Sequence, residues 1–247
     1  MGSHFKGKGV LEHLKEARKK GHIASKEHHG IETQGHLIGG ADSAKETALI
    51  ALLIWIVSFD LHISFSLTAS LLILVLAGVF FWKVGRSACL GWSRLERINK
   101  LIEEEKEEIR SNRDEEKSEL TAMYQAKGFS EPLLSKVIDV LMADENKLLG
   151  IMLEEELGVS LESYEHPLKQ ALGTGIGILL AAFTLSASIL ISPSLGPFIA
   201  APLVIGIASA FMAHLESIRV LPATVWNLSI TFLAAMTTHF LALYLFP

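Results

Sequence analysis

"EEEKEEIRSNRDEEKSEL" fills residues 103–120, and "MLEEELG" follows at 152–158. Both are hydrophilic islands between segments apolar enough to live in a bilayer, and that alternation decides the fold. Upstream, Asp60 and His62 are the main interruptions in residues 48–81; downstream, 203–213 and 225–246 contain no Asp, Glu, Lys or Arg, and 167–191 carries one lysine. A spanning helix needs about 20 apolar residues. The segments are long enough, and the expected architecture is an all-α membrane protein with five transmembrane helices. They are expected near 44–60, 65–88, 169–191, 197–214 and 224–246, the first two parted by the polar break "FDLHIS". The domains expected are a His-rich N-terminal segment at 1–43, spans one and two at 44–91, a Glu-rich domain at 92–166, and spans three to five at 167–247.

Composition agrees: half of the 247 residues are hydrophobic, well outside the range of an ordinary soluble domain. The charged N-terminus has no apolar core before residue 46, so no cleavable leader is expected. The single Cys89 excludes an intrachain disulfide and a Cys-based zinc site. The net charge of -5 hides a sharp segregation. Lys6, Lys8, Lys15, Arg18, Lys19, Lys20 and Lys26 precede span one; Lys83, Arg86, Arg94 and Arg97 follow the apolar part of span two. The loops at Asp60–His62 and at "SPSLGP", and the C-terminal "LFP", carry no Lys or Arg. By the positive-inside rule the N-terminus and 92–166 face the cytoplasm, and five spans put the C-terminus on the opposite side. The partners expected are lipid and ions, not nucleic acid.

Residues 92–167 hold 19 of the 27 acidic residues, so the hydrophilic domain is built largely from acid. Its apolar residues recur at helical spacing: Val137, Val140 and Leu141, then Leu148, Leu149, Met152 and Leu153. Three helical regions are expected. One continues span two to about Arg110, one lies near 112–127, and one or two cover 131–157. Ser130 is the expected N-cap with Pro132 in the first turn, and Gly158 the C-terminal stop.

On an ideal helix measured from Glu105, Glu108 falls at about -60°, Glu116 at about +20° and Glu119 at about -40°. Lys106, Arg110, Arg113 and Lys117 form a separate stripe at about +80° to +140°. A surface stabilised by i,i+4 pairs would mix signs along one face. This one stacks like charges, which costs energy unless a cation relieves it. Residues 105 and 119 are about 21 Å apart on a straight helix, so either there are separate sites or the helix breaks at "SNRD", whose Ser111, Asn112 and Asp114 favour caps. Each Glu-x-x-Glu pair, 105/108 and 116/119, presents oxygens suited to Mg, Ca, Mn or Fe, and a thioether such as Met152 tilts the choice to softer ions. The alternative is a solvated acidic face that binds nothing.

The pattern Glu105, Glu108, Glu116, Glu119, Leu120, continued by "LTAMYQAKGFS" and then "MLEEELG", resembles the cytoplasmic metal-binding domain of the vacuolar iron transporter family. The resemblance covers about residues 90–247. It implies a five-span homodimer that moves Fe(II), and often Mn(II), out of the cytoplasm by proton antiport, with a cytoplasmic three-helix metal-binding domain between spans two and three. Divalent metal (Fe(II), with Mn(II) or Zn(II) as rivals) is then the substrate. Carried over position by position, the metal ligands are Glu105, Glu108, Glu116, Glu119, Met152 and Glu156. Leu153 stands where the family often has a further Glu. In the membrane half, the family's Asp position falls near Glu46, with Asp42 as a rival, and its span-two Met position falls on Lys83, which makes these two the candidate translocation path. Lys83 cannot ligate a cation while protonated: either it loses its proton, or the ion takes another route, or there is no transport.

Six of the ten histidines, His4, His13, His22, His28, His29 and His36, crowd the first 36 residues. With Glu12, Glu16, Glu27 and Glu32 nearby they suit metal capture, or else form part of an amphipathic segment resting on anionic lipid. His214 and His239 are read first as hydrogen-bonded packing residues, and Asp60 with His62 as the outer turn. Gly173, Gly175 and Gly177 suit close helix packing, and Trp55, Trp82, Trp92 and Trp226 include candidate interface anchors. Proton-coupled metal transport is thus the leading expectation, and a membrane-anchored metal buffer or sensor the alternative. An enzyme is not expected: di-iron oxidases use Glu-x-x-His pairs, absent from 92–166.

Overall fold

The computed structural model describes residues 35–158 and 165–246, and every regular element among them is helical. In chain order these are α1 (Gly35–Asp60), α2 (Phe65–Ser111), α3 (Arg113–Ala126), α4 (Leu133–Met142), α5 (Glu145–Ile151), a π-helical turn (Met152–Glu156), α6 (Pro167–Ile191), α7 (Gly196–Leu215) and α8 (Val220–Leu245). The chain divides into two compact units. Among described residues, one comprises 92–158 and the other 35–91 with 165–246. The single helix α2 supplies residues to both. The N-terminal histidines before His36 lie outside the described residues.

In the larger unit, four helices are long and apolar enough to cross a membrane: α2, α6, α7 and α8. Lipid offers backbone amides no partners, so an uncharged run of this length is stable only with its hydrogen bonds closed internally. The first expected span, α1, begins earlier than its apolar run and includes Asp42, Lys45, Glu46 and Asp60. Its uncharged stretch, residues 47–59, rises only about 20 Å, which is why α1 does not meet the same standard. It is nevertheless central. Ala48, Ala51, Leu52, Trp55 and Ile56 of α1 are buried against Leu72 of α2, Leu185 of α6, and Ala200, Ala201 and Ile205 of α7. By contrast, α2 and α8 leave Phe81, Trp82, Trp226, Phe232 and Leu233 widely exposed, an outward apolar surface that fits a bilayer. Trp55 is 7 % exposed, so it is a core residue and not an interface anchor.

Glycine lets α1 and α6 touch backbone to backbone. A Cβ on Gly173 would sit 2.1 Å from the His36 carbonyl oxygen, and one on Gly177 1.9 Å from that of Gly40. This is the small-residue contact by which membrane helices gain packing where no hydrophobic drive exists between them. Gly175 faces Phe80 and Val84 of α2 instead. The start of α6 is fixed locally: the His166 ring accepts from the Leu168 amide at 3.2 Å, and Pro167 needs no amide partner at the first position.

In the smaller unit, α2 ends at Ser111, Asn112 alone is non-helical (φ -129°, ψ 40°), and α3 begins at Arg113. The "SNRD" break is therefore real, and the continuous wheel drawn through it does not apply. Ile109, Leu120, Met123, Leu134, Ile138, Leu148 and Met152 form the core beneath the joint. A second cluster joins Ile98, Leu153 and Leu157, so Leu153 packs against apolar neighbours. Helix α4 starts two residues later than expected, at Leu133 after Pro132, with no side-chain cap; Ser130 contributes only its carbonyl, to the Leu134 amide. The region 131–157 splits because Asp144 caps α5, accepting from the amides of Asn146 and Lys147. Gly158 sits at φ 66°, the left-handed stop expected of it.

Candidate metal centre

The sharp turn at Asn112 closes the gap that a straight rod would leave between the two acidic pairs. Glu105 comes from α2, Glu116 from the first turn of α3, and Glu156 from the end of the π turn; one carboxylate oxygen of each lies within 4.8 Å of the others. All three are buried, as is Glu119, which is 0 % exposed. Glu156, Glu116 and Glu105 are near enough to act electrostatically on Glu119, and Glu108 and Glu115 on Glu116. Met152 is fully buried in the apolar cluster with Leu120 and Leu148. A π turn widens the helix by one residue and often marks a functional site; here it carries both Met152 and Glu156.

Burial decides the electrostatics. Glu116 sits in the first turn of α3, where the helix dipole favours an anion by at most about 1–2 kcal/mol. Loss of solvation is larger. Burial, then the charges of Glu156, Glu108 and Glu115, push Glu116 from 4.5 up to about 8. Burial, Glu156 and Glu116 push Glu119 higher still. Without a cation, then, both groups hold protons at neutral pH. Glu116 Oε2 is buried with no hydrogen-bond partner, and an unsatisfied buried acceptor is costly. The basic stripe does not relieve the cluster. Lys106 pairs with Glu103 at 2.7 Å, Arg113 with Glu145 at 3.3 Å and Lys117 with Asp139 at 3.3 Å. Lys127 pairs with Glu155, and Glu154 is exposed, so neither stands in for the Glu that Leu153 replaces. Three oxygens from three segments within 4.8 Å form a chelating geometry, and oxygen donors suit hard or borderline divalent ions.

The membrane candidates also meet. Lys83 of α2 forms an ion pair with Glu46 of α1; beside it, Lys45 contacts Asp42 at 3.2 Å and donates to the Met212 sulfur of α7 at 3.4 Å. One pair was missed. Asp60, at the end of α1, lies 2.8 Å from Nδ1 of His239 in α8, with its side chain 5 % exposed. The signal available was an acid and a histidine each alone in an apolar segment, but nothing in sequence spacing ties residues 179 apart.

A sequence model of the VIT family matches residues 91–243, more than half of the chain. The match takes in the whole carboxylate cluster, α6, α7 and all but the last two residues of α8; Glu46 and Lys83 lie outside it. No curated protein matches the chain.

Proposed function

Because the chain belongs to the VIT family, the vacuolar iron transporter family, we propose that it carries Fe(II), with Mn(II) as a second cargo, out of the cytoplasm in exchange for protons. The observation that carries this reading is the buried trio Glu105, Glu116 and Glu156, with oxygens within 4.8 Å of one another, in a chain that also has membrane-length helices. Glu108, Glu119 and Met152 complete the donor set. With Glu116 and Glu119 protonated at neutral pH, an arriving divalent ion displaces protons and leaves the buried charge nearly balanced. Low pH reverses the exchange and frees the metal.

On this reading α1 is the fifth span, made tolerable by its central position and its internal ion pairs. The 92–158 unit and the N-terminus lie in the cytoplasm, the C-terminus lies opposite, and two copies form the working homodimer. The test is Mn2+ and Fe2+ uptake by proteoliposomes of the full chain, with a metal-sensitive dye inside. Uptake should acidify the metal-donor side and should fail in E116Q and E119Q. Uptake unaffected by both substitutions refutes the cluster's role.

One observation favours a second reading. The Lys83–Glu46 pair neutralises a carboxylate that a translocation path would use, as expected of a membrane-anchored buffer or sensor that binds metal and passes none. Wild-type vesicles that bind Mn2+ at the cluster and show no flux would select it.

A further inference from the structure

The α1 turn containing Asp42, Lys45 and Glu46, together with Lys83 of α2, is a four-charge cluster of net charge zero. Apart from Arg86, one turn along α2, its surroundings hold little else that is charged. Residues 47–59 and 61–82 carry no Asp, Glu, Lys or Arg, nor do 170–215, which include all of α7 and nearly all of α6. A carboxylate in such a setting is neutralised by a proton, a bound ion or a side-chain cation. Here the side chain does it: the Lys83 ammonium meets Glu46, with the lysine side chain 16 % exposed and the glutamate 47 % exposed. The second ammonium, on Lys45, is held between the Asp42 carboxylate and the Met212 thioether. In this cluster the Glu46 and Asp42 carboxylates and the Met212 sulfur each already meet a cation tethered to the chain.

We propose that Lys83 is a built-in competitor for the cation place at Glu46, and that it sets the metal concentration at which an ion can enter the membrane unit. Lysine suits this role. Its ammonium is a compact point charge on a flexible stem, so it can leave the carboxylate without unfolding either helix. A divalent ion that takes Glu46 must break the pair and then bear the repulsion of the displaced ammonium, with Arg86 one turn along α2 adding to it. A pair with one partner this exposed couples weakly, so the competition amounts to a few-fold in an equilibrium constant.

The flux arm of the test rests on the transport reading; the binding arm does not. In proteoliposomes, K83M should lower the half-saturating Mn2+ concentration a few-fold, K83R should match wild type, and E46Q/K83M should lose the gain. In detergent, a full chain carrying E105Q, E116Q and E119Q should gain one Mn2+ equivalent when K83M is added. Half-saturation and stoichiometry both unchanged by K83M, in protein that melts like its parent, overturns the proposal. A new Mn2+ equivalent without flux in any variant keeps the proposal and removes transport. If K83M fails to fold, K83A and K83Q are read the same way, and a K83R variant as impaired as they are marks Lys83 as merely structural.

Discussion

Replacing Glu116 by glutamine should stabilise the metal-free protein at neutral pH and abolish metal binding, an opposite pair of effects that few roles produce. Glu116 has a value near 4.5 when unfolded and about 8 when folded. Between those values the folded state binds more protons than the unfolded one, so this group's contribution becomes less favourable as pH rises from about 4.5 to about 8 and changes little beyond. At 1.36 kcal/mol per pH unit, the cost at pH 7 is about 3 kcal/mol. E116Q keeps the shape and removes the ionisation. The assay is hydrogen exchange of the 92–158 amides in the full chain, in detergent with a chelator, at pH 5, 6, 7 and 8. Wild type should lose protection as pH rises, E116Q less steeply because only Glu119 then remains raised, and Mn2+ should restore protection to wild type alone. Equal pH profiles for the two proteins, or an E116Q less protected than wild type at pH 8, would refute the account of a strained acidic cluster.

Three further outcomes follow from the geometry. Mn2+ binding near pH 7 should release between about one and two protons per ion, read with an indicator dye in weak buffer; no release would contradict the raised values of Glu116 and Glu119. G177A, whose methyl would lie 1.9 Å from the Gly40 carbonyl oxygen, should lower the melting temperature sharply, whereas G85A, with nothing within 4 Å, should leave it unchanged or slightly raised; equal effects would disprove the α1–α6 contact. D144A removes the α5 cap and should cost about 1 kcal/mol, seen as faster exchange at Asn146 and Lys147.

The sequence carried the helical architecture because apolar length and acidic spacing are local properties. The capping residues at 111–114 marked a break but left open whether Glu105, Glu116 and Glu119 share one site or form separate ones; only the family resemblance put them together. That the chain turns within the single residue Asn112 could not be read, since a cap propensity marks where a helix stops and not the direction in which the next begins. The extent of α1 was also hidden. Asp42, Lys45 and Glu46 read as the edge of a span, but pairing with Lys83 lets the helix run through them. Ser130 was the expected cap, yet only its carbonyl is used, whereas the Asp144 side chain caps α5. The Asp60–His239 contact depends wholly on how α1 and α8 meet.

The one-residue joint at Asn112 has a mechanical consequence. Helix α3 has 14 residues, a stiff arm of about 21 Å. Drawing Glu116 a fraction of an ångström toward Glu105 and Glu156 is a movement near the fulcrum; a 10° swing there carries the far end by about 4 Å. Lys127 and its ion pair with Glu155 lie at that far end, so an ion bound between Glu105, Glu116 and Glu156 would shift the far end of α3 more than it shifts the carboxylates themselves.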